Sequence, residues 1–168
     1  NGKLKILMLS RKSKGKRHDF ALKIARKLVN KGFDFEMIMT GLGRNSVPED
    51  LKGVVINKEW VTEIEKYELI NAANVLIMPS DFEGSSMSVI ESVVNGLPCL
   101  VSKASAETIG IQELSISLDS VEEWVKKLIS LSDSSVYENI QKKIIERSYF
   151  YNEIKNKQKI LELYDSMF

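Results

Sequence analysis

The fold is decided by residues 73–102, which read ANVLIMPSDFEGSSMSVIESVVNGLPCLVS. The uninterrupted apolar run Val75–Met78 predicts a buried strand, and the segment Ser86–Asn95 has the spacing of a helix. The dipeptide Asn95-Gly96 is a typical helix stop, and a second strand is predicted at Pro98–Ser102. A strand, a helix and a strand in this order predict a βαβ unit, the building block of parallel sheets.

The same alternation of short strands and longer helices extends in both directions from this segment. Further strands are predicted at Leu4–Leu9, Phe35–Thr40, Gly53–Ile56 and Ser115–Leu118, and further helices at His18–Asn30, Thr62–Ala73 and Ser120–Leu131. Two successive helices, Ser134–Arg147 and Asn152–Asp165, complete the predicted order. We therefore predict an α/β fold, a Rossmann-like parallel sheet with helices on both faces that ends in two C-terminal helices.

The last predicted helix carries an apolar stripe with two interpretations. Its members are Ile154, Ile160, Leu161, Leu163 and Tyr164. Such a stripe either packs in the core of its own domain or provides a docking surface for another domain.

Length and composition indicate one globular domain. With 168 residues, 43% of them hydrophobic, the chain can bury a single sizeable core. The 24 Lys and Arg residues nearly cancel the 23 Asp and Glu residues, which argues against bulk attraction to nucleic acid or to an anionic membrane. Cys99, the single cysteine, lies in an apolar run and is expected to be buried and inert. No apolar stretch approaches the roughly 20 residues that span a bilayer, so we expect a soluble, cytoplasmic protein.

The loop between the strand Val75–Met78 and the following helix is the best candidate for chemistry. In open α/β sheets, ligands bind outside the carboxyl ends of the strands, where this loop lies. Gly84 permits close approach of the backbone, and Ser85-Ser86 can cap a helix whose free N–H groups and dipole face an anion such as phosphate. Glu83 and Glu91 can accept hydrogen bonds from hydroxyls, which sugars present.

The compound pattern resembles the nucleotide-binding domain of GT-B glycosyltransferases, in particular family 4 of the retaining enzymes. The order Ala-Asn-Val-Leu-Ile-Met-Pro-Ser, Glu-Gly, Ile-Glu and Asn-Gly-Leu-Pro lies within residues 73–98, and Glu83 and Glu91 match the family's Glu-(seven residues)-Glu motif. Arg11 and Lys16, after the first strand, match the family's Arg-(four residues)-Lys spacing. In the family, this pair of residues holds the diphosphate. A forked guanidinium and a compact ammonium suit that task, because a departing nucleoside diphosphate gathers negative charge.

The resemblance implies a role for each matching residue. Catalytic roles are implied for Arg11 and Lys16 at the diphosphate and for Glu83 at the sugar. Substrate-binding roles are implied for Glu91 at the ribose and for Gly84, Ser85, Ser86, Met87, Gly41 and Gly43, the last two forming a Gly-x-Gly loop beside the nucleoside. The stretch Ile56–Trp60 corresponds to the wall of the base pocket in related enzymes, although Trp60 can equally be packed into the fold. Ser10 departs from the pattern, since a glycine commonly precedes the arginine.

By the same resemblance, the chain binds a UDP-, GDP- or ADP-linked sugar for retaining transfer of a hexosyl-type group. The acceptor would be a saccharide or a lipid-linked molecule, and the segment Asn95–Ser102 followed by Trp124 resembles the capsule and exopolysaccharide branch. No cofactor and no protein-bound metal are implied. Residues 1–168 would form the donor-binding domain alone, inactive without an N-terminal acceptor-binding domain, through which the enzyme can lie at the inner face of the membrane. The start Asn1-Gly2-Lys3 without methionine also leads us to expect upstream sequence.

The basic loop and the domain as a whole have alternative interpretations. The segment Arg11–Arg17 can be a solvated basic loop or a nucleic-acid patch, but no aromatic stacking platform accompanies it, so we expect no nucleic-acid partner. A non-catalytic nucleotide-sugar-binding or scaffold domain and half of a sugar-nucleotide epimerase are the alternative functions. A dinucleotide-binding loop is excluded, because Gly-x-Gly-x-x-Gly does not follow the first strand. His18 is expected to be a surface residue that begins a helix.

Overall fold

The computed structural model describes residues 2–43, 46–152, 156–158 and 162. Their strands are β1 (Leu4–Met8), β2 (Phe35–Thr40), β3 (Val55–Lys58), β4 (Val75–Met78), β5 (Cys99–Ser102) and β6 (Ser115–Ile116). Their helices are α1 (His18–Asn30), α2 (Glu63–Ala72), α3 (Met87–Val94), α4 (Ala106–Ile109), α5 (Val121–Ser130) and α6 (Ser134–Ser148). The six strands form one parallel sheet in the order β3-β2-β1-β4-β5-β6.

The sheet is buried on both faces, as the uninterrupted apolar strands predict. All four residues of β4 are buried, and so are all four residues of β5. On one side, α1 packs against α5, and the ring centroids of Phe20 and Trp124 lie 5.7 Å apart in an edge-to-face arrangement. On the other side, α3 lies against α6. The described part of the chain thus has a single core, with helices on both faces of the sheet.

The strand order reverses direction between β1 and β4, and this reversal positions the candidate site. Ile6 and Leu7 of β1 are in register with Val75 and Leu76 of β4. The chain leaves β1 towards β2 on one side, and it leaves β4 towards β5 on the other. Adjacent parallel strands whose connections diverge leave a crevice at their carboxyl ends, which is the usual ligand position in open α/β sheets.

The predicted stop of α3 is confirmed in atomic detail. Gly96 has φ +73°, a left-handed conformation that glycine adopts without strain. Its N–H donates to the carbonyl of Val93 (3.0 Å), and the N–H of Leu97 donates to the carbonyl of Ser92 (2.9 Å). This double hydrogen bond ends the helix and turns the chain into β5.

The predicted α/β order is confirmed, with one short helix added. The short helix α4 was not predicted, because four residues carry too little periodicity to be recognised. The last predicted helix, Asn152–Asp165, falls partly outside the described residues. Within its range, residues 156–158 and 162 are described and helical. Its apolar stripe (Ile154, Ile160, Leu161, Leu163 and Tyr164) lies entirely outside them.

Cys99 is fully buried, as predicted, and burial raises the pKa of its thiol. A thiol held in its protonated form is a poor nucleophile, in agreement with the expected inert role. Among the helices that the structure describes, none is both long and apolar enough to cross a bilayer.

Candidate functional site

Two adjoining clefts open where β1, β2 and β4 end, and Arg11 lines both. The first cleft has a volume of about 520 Å³ and lies between the loops after β1 and β2 and the start of α2. The second cleft has a volume of about 730 Å³ and lies between the loops after β1 and β4. The first cleft is lined by Leu9, Ser10, Arg11, Lys12, Thr40, Gly41, Leu42, Gly43, Glu59, Trp60, Val61, Glu63, Lys66 and Ser88. The second is lined by Arg11, Ser13, Gly15, Lys16, Asp81, Phe82, Glu83, Gly84 and Ala104.

Lys16 and Glu83, two of the predicted catalytic residues, form an ion pair in the wall of the second cleft. The Lys16 Nζ atom lies 2.5 Å from Oε1 of Glu83, and the two side chains are 19% and 8% exposed. The backbones are also joined, since the N–H of Asp81 donates to the carbonyl of Gly15 (2.8 Å). The loops after β1 and β4 are therefore held together by both side chains and backbone.

Arg17 adds a second ion pair between the same two loops. Its Nη1 atom donates to Oδ1 of Asp81 (2.8 Å), and its Nε atom donates to Oδ1 of Asp19 (3.1 Å). The hydrogen bonds to Asp19 and Asp81 raise the pKa of Arg17, in that order of importance. Arg17 has φ +55°, which is uncommon for a residue with a side chain. The two carboxylates help to hold the arginine in this conformation.

Arg11 is exposed, in contrast to Lys16. Within residues 2–43 and 46–152 its guanidinium forms no salt bridge. Its position between the two clefts leaves the five N–H donors of the guanidinium available to an anion. Arg11 and Lys16 thus lie on the same loop at the crevice, as their spacing predicts.

The loops after β1 and β2 are packed backbone against backbone at Gly41. This residue has φ +74°, and a Cβ atom there would lie 2.3 Å from the carbonyl oxygen of Ser10 and 2.6 Å from the carbonyl carbon of Arg11. The Ser10 N–H donates to Thr40 Oγ1 (2.9 Å), which in turn donates to the Ser10 carbonyl (2.9 Å). Gly41 therefore permits the close contact that fixes the backbone just before Arg11.

The prediction that His18 is a surface residue is wrong. His18 begins α1, as predicted, but it is only 9% exposed. Its Nε2 atom lies 2.9 Å from the carbonyl oxygen of Thr40 and 3.0 Å from Oγ of Ser10. Because a carbonyl oxygen only accepts, Nε2 carries a proton and donates to Thr40. The end of β2 covers this ring, so His18 stabilises the loop that carries Arg11.

Glu91 lies on α3 and is held by a residue that the sequence analysis did not identify. The Lys66 Nζ atom of α2 lies 2.7 Å from Oε1 of Glu91 and 2.7 Å from Oε2 of Glu63. Lys66 and Glu63 line the first cleft. No motif contains Lys66, and its partner Glu91 is 25 residues away in the chain.

The predicted anion site at the start of α3 has the expected backbone but not the expected side-chain cap. Ser86 is the N-cap residue, and its carbonyl accepts from the N–H groups of Val89 and Ile90, but its hydroxyl makes no capping hydrogen bond. The first N–H groups of any helix lack a partner within the helix and face the loop. Ser85 and Met87 are exposed beside them. At Gly84 a Cβ atom would meet no atom within 4 Å, so no protein contact demands glycine there.

The second glycine of the Gly-x-Gly loop and Trp60 both lie in the first cleft. Gly43 accepts a hydrogen bond from Nδ2 of Asn57 (3.3 Å) through its carbonyl. Trp60 is 83% exposed, so it is not packed into the fold. Of the two interpretations of Trp60, the structure favours the one in which the indole faces the cleft.

Within the described ranges, no group of three or more His, Cys, Asp or Glu side chains is arranged to hold a metal ion. That the protein holds no metal stays a prediction.

The fold and the crevice define a Rossmann-like α/β domain with basic and acidic side chains gathered at its switch point. The glycosyl transferases group 1 family matches residues 3–134, and the chain belongs to this family. Its six-stranded sheet and surrounding helices are those of GT-B glycosyltransferase domains. The family and the fold predicted from the sequence are thereby confirmed.

Three known proteins show how far the similarity extends. EpsF of Bacillus subtilis (strain 168), which is named as a glycosyltransferase, is 29% identical over 99 residues, or 56% of this chain and 26% of EpsF. The UDP-Gal:alpha-D-GlcNAc-diphosphoundecaprenol alpha-1,3-galactosyltransferase of Escherichia coli is 25% identical over 126 residues, or 70% of this chain and 31% of that enzyme. The crystal structure of a glycosyltransferase from Rickettsia africae ESF-5 matches this chain with a TM-score of 0.83 at 20% identity. The match covers 99% of this chain and 48% of the Rickettsia chain. The chain therefore spans 26% and 31% of the two curated relatives.

Proposed function

We propose that this chain is the donor-binding domain of a retaining glycosyltransferase, which binds a nucleotide-diphosphate sugar and transfers a hexosyl group in polysaccharide biosynthesis. One observation carries the proposal. The Lys16–Glu83 ion pair lines the second cleft together with the exposed guanidinium of Arg11, which lies at the line where the two clefts meet. A diphosphate at this line would place a nucleoside in the first cleft and a sugar in the second.

The proposed roles follow from the chemistry of the side chains. Arg11 and Lys16 neutralise the charge that gathers on the departing diphosphate. Glu83 faces the sugar and also holds the ammonium of Lys16 in place. The N–H groups at the start of α3 add partial positive charge beside the same anion. By resemblance to the family, the departing phosphate accepts the proton of the acceptor hydroxyl, so this domain need supply no covalent nucleophile.

The acceptor and the rest of the enzyme belong to the proposal as well. The curated relatives are about three to four times longer than the stretch they share with this chain, which supports a companion acceptor-binding domain. The name of the Escherichia coli relative includes UDP-Gal and a diphosphoundecaprenol acceptor. We therefore take a UDP-sugar and a lipid-linked saccharide as the first candidates, with the enzyme in the cytoplasm at the inner face of the membrane.

A panel of UDP, GDP, ADP and their sugar conjugates tests donor binding through the thermal unfolding midpoint of the chain. At a concentration about a hundredfold above its Kd, a ligand adds about 2.7 kcal/mol to the free energy of unfolding. For a domain of this size, each kcal/mol raises the midpoint by about 2 to 4 °C. We expect one base to give this increase, and we expect Arg11→Ala and Glu91→Ala to remove it.

The matched control is Arg26→Ala, because Arg26 forms an ion pair with Asp50 on the surface and lines neither cleft. This variant is expected to keep the full ligand response. The absence of any increase at millimolar nucleotide would contradict donor binding by this chain. Binding with no transfer by the complete polypeptide would instead favour the non-catalytic binding role.

Replacing Trp60 by alanine is expected to weaken nucleotide binding about five- to tenfold. The 83% exposed indole lies in the first cleft, where the base is proposed to stack on it. Stacking of a base on an exposed aromatic ring contributes about 1 kcal/mol or more, which corresponds to this change in Kd. Titration calorimetry with the best nucleotide of the panel measures the effect.

Two further variants make the Trp60 experiment specific. Trp60→Phe keeps an aromatic face and is expected to retain most of the affinity. Ile64→Ala removes a side chain that is 74% exposed nearby on α2 but does not line the cleft, and it should leave the affinity unchanged. If Trp60→Ala and the unmodified chain bind the nucleotide with equal affinity, the base does not stack on Trp60.

A further inference from the structure

A cluster of three charged side chains, Glu63, Lys66 and Glu91, adjoins the first cleft, which Glu63 and Lys66 line. The Lys66 ammonium lies between the two carboxylates, 2.7 Å from each. Lys66 and Glu91 are 15% and 18% exposed, whereas Glu63 is 80% exposed. The cluster joins α2 to α3, and it lies beside Ser88, whose hydroxyl donates to the carbonyl of Leu9 at the end of β1 (3.0 Å).

The lysine is fully charged in this environment. Burial by itself lowers the pKa of Lys66, but the hydrogen bonds to Glu63 and Glu91 outweigh burial, so the pKa lies above its ordinary value. The two carboxylates repel each other, and the ammonium between them offsets this repulsion. Without Lys66, the long side chain of Glu91 would gain rotamer freedom and solvation by turning away from Glu63.

The geometry of Glu91 leaves part of its carboxylate for a ligand. Lys66 donates to Oε1, and no donor among the described residues reaches Oε2. The backbone of Glu91 is fixed independently, since its carbonyl accepts from Nδ2 of Asn95 (2.7 Å) in the last turn of α3. The direction of the carboxylate, by contrast, depends on Lys66.

We propose that Lys66 is a positioning residue of the donor site, which turns the Glu91 carboxylate towards the first cleft so that Glu91 accepts the hydroxyls of the ribose. Glu63 holds Lys66 in turn. This inference rests on the proposed function, with Glu91 in the ribose-binding role that the resemblance to the family implies.

Ligands that lack the ribose hydroxyls separate this role from a purely structural one. The probes are the best-binding nucleoside diphosphate of the panel and its 2′,3′-dideoxy counterpart, titrated calorimetrically into the chain. Hydrogen bonds to a carboxylate are strong, so the unmodified chain should prefer the ribonucleotide about tenfold. Lys66→Met should lose this preference by weakening ribonucleotide binding about tenfold, with dideoxynucleotide binding unchanged. Lys66→Arg keeps a cation between the carboxylates and should restore most of the preference.

Two more variants decide what each outcome means. Lys143→Met removes an ammonium from a similar ion pair with Glu113 (2.6 Å) far from the cleft, and it should keep the preference. Glu91→Gln should lose the preference. If Glu91→Gln loses it and Lys66→Met keeps it, Lys66 only bridges α2 and α3 and the inference is overturned. If Glu91→Gln keeps it, Glu91 is not at the ribose, and that part of the proposed function fails together with the inference. The urea midpoint of each variant shows that it is folded.

Discussion

Replacing Arg11 by alanine is expected to lower glycosyl transfer by the complete enzyme about a hundred- to a thousandfold, with almost no change in the stability of this domain. The guanidinium is exposed where the two clefts meet, and within the described residues it forms no salt bridge. Removing one preorganised donor from a developing oxyanion costs about 3 to 4 kcal/mol in the transition state. An exposed substitution of this kind changes the free energy of unfolding by about 0.5 kcal/mol or less. The measurements are kcat/KM of the polypeptide that includes the companion domain and urea unfolding of this chain.

Lys16→Met provides an informative contrast, because Lys16 is already paired inside the protein. Its loss leaves the carboxylate of Glu83, only 8% exposed, without the ammonium 2.5 Å away. A buried acceptor without a donor lowers the free energy of unfolding by about 1 to 3 kcal/mol, so this variant should lose stability as well as transfer activity. Adding Glu83→Gln should recover the stability but not the transfer. Such an outcome would separate the structural role of the ion pair from its proposed role at the diphosphate.

Lys14→Ala is the matched control on the same loop. Lys14 is exposed and lines neither cleft, so both transfer and stability should stay close to those of the unmodified protein. If the Arg11→Ala enzyme transfers at the normal rate, Arg11 does not contact the diphosphate in the transition state. A large loss in Lys14→Ala would instead point to the total charge of the loop.

The fold and the proximity of the two motif loops could be predicted from the sequence. Alternating apolar runs and helical segments predicted a parallel sheet with helices on both faces, and the six observed strands lie where those runs are. In such a sheet the carboxyl ends of neighbouring strands meet at one edge, so motifs that follow β1 and β4 were candidates for one site. The structure brings Lys16 and Glu83 together there across 67 positions of sequence. Spacing within each motif could not reveal that the two side chains are partners.

What the sequence could not predict are contacts set by the packing of distant elements. His18 looked like a surface residue because a polar side chain at the start of a helix usually is, but the end of β2, 22 residues away, covers it. Lys66 was missed for a related reason. It lies on α2, which has a single buried residue, Ile70, and no apolar stripe from which its inner face could be recognised.

Replacing Gly41 by alanine is expected to lower the free energy of unfolding by about 2 to 5 kcal/mol and to abolish detectable nucleotide binding. Two costs add up. An alanine at φ +74° is strained by about 1 to 2 kcal/mol, and its Cβ atom would lie 2.3 Å from the carbonyl oxygen of Ser10, a backbone atom that cannot move alone. Forcing such an atom into a packed region costs a further 1 to 3 kcal/mol, roughly. The shift would pass directly to Arg11, whose carbonyl carbon lies 2.6 Å from the same Cβ position. Urea unfolding and nucleotide titration measure the two effects.

Two other glycines of this chain allow the strain and the collision to be measured separately. Gly32 has φ +65°, but a Cβ atom there would meet nothing within 4 Å, so Gly32→Ala should show the conformational strain alone and leave nucleotide binding unchanged. At Gly43 the nearest atom to a Cβ would be the flexible Lys12 Nζ at 3.0 Å, and φ lies outside the left-handed region, so Gly43→Ala should cost less than about 1 kcal/mol. If Gly41→Ala is no less stable than Gly32→Ala, the close contact with Ser10 contributes nothing. If it is less stable by the predicted margin and also fails to bind nucleotide, the contact between the loops after β1 and β2 is what holds Arg11 in position for the diphosphate.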